Sequence, residues 1–459
     1  MKATTAIKTL ILTSSIFHFS FSIFNSAAQA AVIDQVIVRQ QWPWSTDVKI
    51  EYRLSGVTSP VDISVTAYNG TNKLDNSNID GALTGNRYGV TDSVGTIILD
   101  PVKAFGGTRV AIADFRVELE LSDSAANLDE VLYKVFSLTN SNEAVVNITR
   151  RELLNGKYGS VVTDYSTFGE GFTTSLSDVL VWTAVTNDVK YKTTHLVMRR
   201  IPAGTFTCGG GANNPGISVT IPNDYFIGVF EMTQRQCEYI SSGRATAYFN
   251  NAACAATRPM ESVSHSDIRG SSARDWPADT APAAASYIGS VRTKTDVRSF
   301  DLPTEAQWER AARGGNNTIW NNGETSTTTG AANPVIPKLG RSRYTGGYVG
   351  SGSSATQPAQ NCTTVNGTAE VGSYAPNAFG LYDCHGNVKE WCLDRQVEWA
   401  SLTEEILLNG SLDAPVGNHV LKGGSWGETP SSQYIDRRTS QGVDTGSSSS
   451  GFRLCCPAE

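Results

Sequence analysis

Within GLYDCHGNVKEWCLD (380–394) stand Cys384, His385, Glu390, Cys392 and Asp394, side chains able to hold a metal, carry a thiolate or move a proton. Thiolates with imidazole suit a soft transition metal, and paired cysteines suit redox chemistry. The spacing argues against both. Structural zinc takes four ligands, commonly from paired C-x-x-C or H-x-x-x-H units. Here Cys384 and His385 are adjacent, and no second pair stands nearby. The remaining histidines, His18, His195, His265 and His419, are scattered. The stretch then reads as a rigid turn bearing ligand-type residues.

The compartment bears on that chemistry. Lys2 and Lys8 precede an apolar run from Thr9 to Phe24, and SAAQA ends at Ala30, the pattern of a secretory signal over 1–30. No second apolar stretch long enough for a membrane span follows. The expectation is an exported chain, periplasmic or extracellular. Its eight cysteines (Cys208, Cys237, Cys254, Cys362, Cys384, Cys392, Cys455 and Cys456) then read first as disulfides. A net charge of -7 without a basic patch excludes a nucleic-acid partner.

Two unlike regions must position these residues. Over 31–150 apolar and polar residues alternate with period two in DVKIEYRL (47–54), VDISVTAY (61–68), RVAIADFRVELEL (109–121) and VLYKVFSL (131–138). Turn clusters separate these runs, which predicts a β-sandwich-like domain without catalytic residues. Residues 151–194 read as a connector with one strand in VLVWTAVT (179–186). From 195 to 459 the chain is loop-rich. Two helix starts carry capping boxes, Thr233 with Gln236 and Thr304 with Gln307, the second ending at Gly314 with Trp308 on its buried face. The fold class expected is α+β.

Six ordered phrases in that second region carry a resemblance: IPAGTFTCGG (201–210), YFIGVFEMTQRQ (225–236), FDLPTEAQWERAARGG (300–315), VGSYAPNAFGLYDCHGNVKEW (371–391), VLKGGSW (420–426) and GFRL (451–454). Together they resemble the formylglycine-generating, or sulfatase-modifying factor, family, which implies a C-type-lectin-like fold for 195–459. The family's oxidase converts a substrate cysteine to formylglycine with copper held by two cysteines just after GGS. The resemblance places Glu428 and Gln433 at those two positions, and neither can replace a thiolate for Cu(I). Iron-dependent relatives use histidines in an H-x-x-x-H-x-E pattern that this chain lacks. Neither copper nor iron is therefore expected, and the leaning is toward a protein that is not an enzyme.

The same resemblance carries three further expectations. HGNVKEW matches a calcium-binding segment, which would take carbonyls from His385, Gly386 and Val388, the Glu390 carboxylate, and Asn387 as turn or ligand; without an ion Glu390 would cap backbone N–H groups. Positions 208 and 384 usually hold methionine, so Cys208 and Cys384 form either a disulfide or two separate buried thiols. Glu428, Gln433, Asp436, Arg437 and Arg438 occupy the segment that forms the active groove in catalytic relatives. There they would recognise a ligand or make partly exposed ion pairs. In relatives of this fold the segment between GGSW and GFRL can be hypervariable. The function expected is non-catalytic binding of a protein, peptide or glycan. The alternative is a formylglycine-generating or related metal-dependent oxidoreductase acting on cysteine or another small thiol or amine.

Overall fold

Strands form where apolar and polar residues alternate. Val48–Ser55 buries Val48, Ile50, Tyr52 and Leu54, and Val61–Asn69 buries Val61, Ile63, Val65 and Ala67, with the intervening residues turned outward. The computed structural model describes residues 8–11, 31–40, 45–105, 112, 114–124, 127–211, 214–241, 247–251, 253, 255–272, 276–278, 281–349, 356, 366–414 and 417–458. Apart from a four-residue strand, Lys8–Ile11, the expected signal segment lies outside the described residues, as do Cys254 and Cys362. No described helix is long and apolar enough to cross a membrane.

The chain divides into two units, residues 1–130 with 149–161, and 131–148 with 162–459. The first holds two four-stranded sheets. One runs Lys8–Ile11, Phe115–Asp123, Val61–Asn69, Asn72–Lys73; the other runs Val32–Gln40, Val48–Ser55, Val94–Leu99, Leu83–Gly85. Both contribute to one apolar core that includes Ile33, Ile50, Leu54, Ile63, Ile97 and Leu119. This is the expected sandwich.

Two boundaries differ from the sequence reading. Val131–Ser137, expected in the sandwich, pairs with His195–Ile201 in the second unit, Val135 opposite Val197. The reason is burial on both faces: Leu132, Tyr133, Val135 and Phe136 are all inside, which suits a covered central strand. The expected connector is also structured. In VLVWTAVT only Val181–Trp182 is strand, followed by a 3₁₀ turn over Thr183–Thr186. Tyr165, Phe172 and Val181 pack with Trp320 in a core of the second unit.

That unit is built on a five-stranded sheet, Val146–Thr149, Val131–Ser137, His195–Ile201, Tyr225–Gly228, Cys455–Pro457, and a four-stranded one, Thr439–Gly442, Asn418–Lys422, Lys389–Arg395, Ser450–Gly451. Both expected capping boxes are present, on helices Gln234–Ile240 and Glu305–Arg313. Gly314 ends the second helix at φ 56°, a left-handed conformation that glycine adopts without a Cβ penalty. Strand Lys389–Arg395 lies between two partners, with Glu390 opposite Lys422.

Candidate functional site

The segment 425–438 leaves the end of strand Asn418–Lys422 through Gly423 and Gly424, both at positive φ. A Cβ on Gly424 would lie 2.6 Å from Gln433 Cγ, so glycine there lets the two ends of the turn close on each other. Gln433 is wholly buried. Its Nε2 donates to Ser425 O (2.7 Å) and Arg341 O (3.1 Å). Its carbonyl meets His385 Nδ1 at 2.8 Å, and His385 Nε2 accepts the Asn321 N–H (3.1 Å). With Nε2 accepting, the proton sits on Nδ1. Burial lowers the His385 pKa to about 4, so the ring is a neutral brace. At the position where the resemblance puts a copper thiolate, Gln433 is an internal strut.

Of the other segment residues, Glu428 is partly exposed and lies 3.5 Å from Lys389 Nζ. Asp436 is buried against Gly211, where a Cβ would fall 1.8 Å from its Oδ2, and burial raises its pKa. Arg437 is half-buried at the rim. Arg438 turns inward: it donates to Val397 O (2.5 Å), lies over Trp399 and approaches Glu305 Oε2 at 2.8 Å. Of the five residues, Gln433 and Asp436 are buried, and Glu428, Arg437 and Arg438 keep part of their surface exposed.

Beneath them lies a charge network that the sequence reading missed. Glu309 accepts from Lys422 Nζ (2.8 Å), Arg313 (2.6 Å) and Gly209 N (2.7 Å). Burial alone would raise the Glu309 pKa, but Lys422 and Arg313 outweigh it and hold the carboxyl low. Glu305 contacts Arg438 and, at 3.7 Å, Lys422, without a hydrogen bond to either. Asp394 accepts the Glu305 N–H (2.6 Å); burial and then Glu305 push its pKa to about 8, so it is protonated at neutral pH. The only sequence signal was Glu309 four residues before Arg313, a spacing that usually marks an exposed helix pair.

The calcium expectation fails a fit test. Glu390 receives Arg453 Nε (2.9 Å) and Nη2 (2.7 Å) and Trp308 Nε1 (2.7 Å). Arg453 is buried and also donates to Gly228, Val229 and Tyr382 carbonyls. A dication on Glu390 would face this guanidinium, and Ca²⁺ needs six to eight oxygen ligands. Asn387, at φ 59°, spends its side chain on Ala369 N (2.8 Å) and Glu231 (2.6 Å). It holds the turn, with Gly386 N bonded to Gly423 O (2.8 Å) and Val388 N to Glu231 (3.0 Å). Among the described residues no group of three or more His, Cys, Asp or Glu side chains is arranged to hold a metal.

The disulfide expectation is corrected too. Cys208, Cys384, Cys392 and Cys455 are buried and unbridged. Cys208 Sγ faces Glu309 Oε2 at 3.5 Å, while Cys384 Sγ faces the Tyr382 carbonyl at 3.8 Å. Desolvation raises all four thiol pKa values, that of Cys384 to about 12.

A profile described as "Sulfatase-modifying factor enzyme 1-like domain" matches residues 184–457. A formylglycine-generating enzyme of Thermomonospora curvata is 32% identical over 171 residues, 34% of this chain and 49% of its own, so the match spans about half that relative. "Chaperone protein LppX" of Paenibacillus barcinonensis is 26% identical over 44% of this chain and 70% of its own. Among solved structures, Treponema denticola variable protein 1 is 22% identical with TM-score 0.40, covering 58% of this chain and 96% of that one.

Proposed function

This chain belongs to the sulfatase-modifying factor enzyme 1-like family, and on that premise we propose that it is an exported, non-catalytic member that binds a protein or peptide. The observation that carries this reading is Gln433. The residue standing where the family's oxidase needs a thiolate is buried and hydrogen-bonded to two backbone carbonyls. Glu428, at the other thiolate position, is a hard oxygen donor that does not suit Cu(I). A copper(I) site therefore does not fit these residues, and no oxidation step is derived through it.

A protein partner is favoured over a glycan by the relative named as a chaperone, of which the alignment covers most of the length. The test combines elemental analysis of the purified native protein with incubation on a C-x-P-x-R peptide under copper loading. Metal-free protein and an unaltered peptide are expected; bound copper with aldehyde formation sinks the reading and establishes the oxidoreductase alternative. Export is checked separately by the N-terminus of mature protein recovered from culture, expected to begin at Ala31.

A further inference from the structure

Arg343, whose backbone N–H donates to Glu428 O, carries a guanidinium with no carboxylate partner among the described residues. Arg343 makes no ion pair or side-chain hydrogen bond there, and its Nε is buried without an acceptor. Its Cζ lies over the ring of Tyr348 at 4.7 Å and that of Tyr344 at 5.6 Å. All three side chains are half-buried. A surface arginine of no consequence is normally a solvated, mobile chain. This one is held on two aromatic faces, which leaves its terminal Nη groups as the donors able to reach a ligand.

The loop that carries it is tightly built. Ser342 Oγ accepts the Tyr344 N–H (3.2 Å), and Thr345 Oγ1 accepts the Ser342 N–H (2.7 Å). Arg341 Nη1 donates to Thr345 O (2.7 Å) and Gly347 N to Ser342 O (2.8 Å). Two contacts fasten this loop to the 426–428 stretch. Arg343 N donates to Glu428 O (3.1 Å), and a Cβ on Gly347 would fall 1.9 Å from Trp426 O. Tyr348 also packs on Trp426, their centroids 5.5 Å apart. The guanidinium is thus fixed relative to the 426–428 stretch.

We propose that Arg343, clamped by Tyr344 and Tyr348, anchors a carboxylate of a bound acidic peptide; the proposal rests on the peptide-binding role read above and places the contact at the Arg343 loop. A planar guanidinium presents two parallel N–H groups that match a carboxylate. The chain's net charge of -7 provides no general attraction for anions, so recognition rests on this local, desolvated contact. The tyrosine rings position Arg343 without touching the reacting charge.

The test titrates tetraglutamate, tetraserine and inorganic phosphate into the full chain by calorimetry, for wild type, R343Q, R343K, Y348A and Y348F. Wild type binds tetraglutamate and not tetraserine. R343Q weakens that binding by roughly tenfold or more with an unchanged melting temperature, as expected for losing one charge-assisted pair. R343K, with charge but no fork, falls between them. Y348F binds as wild type and Y348A does not, because the ring rather than its hydroxyl holds the guanidinium. Equal binding by R343Q, no tetraglutamate binding by wild type, or phosphate binding at Arg343 without tetraglutamate overturns the proposal. The readout is binding alone, so aldehyde formation by a chain that still needs Arg343 for tetraglutamate would refute the non-catalytic reading and leave this site standing.

Discussion

Glu390→Gln keeps the shape of a buried side chain and removes its charge. Wild-type Glu390 accepts two N–H groups from Arg453 and one from Trp308. The amide retains one acceptor oxygen and turns an NH₂ toward a donor, so at least one charge-assisted bond is lost and Arg453 is left buried without its counter-ion. Breaking a buried pair from one side costs about 3–5 kcal/mol. For a unit of this size that corresponds to a melting temperature lower by roughly 5–8 °C. The assay is thermal unfolding of wild type and E390Q, each with and without EDTA. If Glu390 is a brace, E390Q melts early and the chelator moves neither protein. If it holds a structural calcium ion, EDTA lowers the wild-type melting temperature, since a ligand bound only to the folded state stabilises it. A wild-type drop with EDTA comparable to that of E390Q refutes the reasoning, as does an E390Q melting temperature within about 1 °C of wild type. The double variant E390L/R453M, which removes both charges, should recover part of the loss.

Other outcomes follow from the same geometry. Gln433→Ala removes two bonds to buried carbonyls, and urea unfolding should show a loss of about 2–3 kcal/mol, with no change if the side chain is not a strut. Cys208, Cys384, Cys392 and Cys455 should resist iodoacetamide in the native protein and all be labelled after unfolding without reductant; any pair unlabelled under those conditions is a disulfide and contradicts the structure. Two groups give opposed pH dependences. Asp394, raised to about 8, keeps a proton that the unfolded chain has lost, so stability falls as pH rises from the ordinary carboxylate range through 8. His385, lowered to about 4, is protonated first in the unfolded chain, so stability falls as pH drops from 6.5 toward 4. Asp394→Asn should remove the decline on raising pH from about 6.5 to 8 and expose the His385 loss below 6.5, as followed by melting temperature across pH; an unaltered slope between 6.5 and 8 rules out Asp394 as its source.

Local chemistry explains what could be read in advance. The capping boxes at Thr233 and Thr304 and the alternation of 48–55 and 61–69 are short-range signals, and they appear as expected. Val131–Ser137 has no such local marker of ownership, because its pairing with residues some sixty positions away is set by the fold. The family resemblance left Cys208 and Cys384 as a disulfide or two separate buried thiols, and the apolar interior gives each sulfur its own neighbour. The sequence reading gave Glu390 an ion or backbone N–H groups as partners, and its partners are side chains, those of Arg453 and Trp308. Its partner Arg453, sixty-three positions on, is what decides between an ion and a brace. Arg343 passed unnoticed, since nothing in RSRYTGGY states that its two neighbouring rings close on it.

The way segment 425–438 is fastened bears on how this surface can evolve. Trp426 is bonded to Asn387 O and Ser448 O, and Gln433 to Ser425 O, so the stretch is tied at its base from both directions. Thr439, Ser440, Asp444 and Thr445, farther along, are exposed. Substitutions at such positions typically change stability by no more than about 0.5 kcal/mol. Changes at these exposed positions therefore leave the buried struts that hold the segment untouched, so its outer face and its anchoring are separable in the sequence.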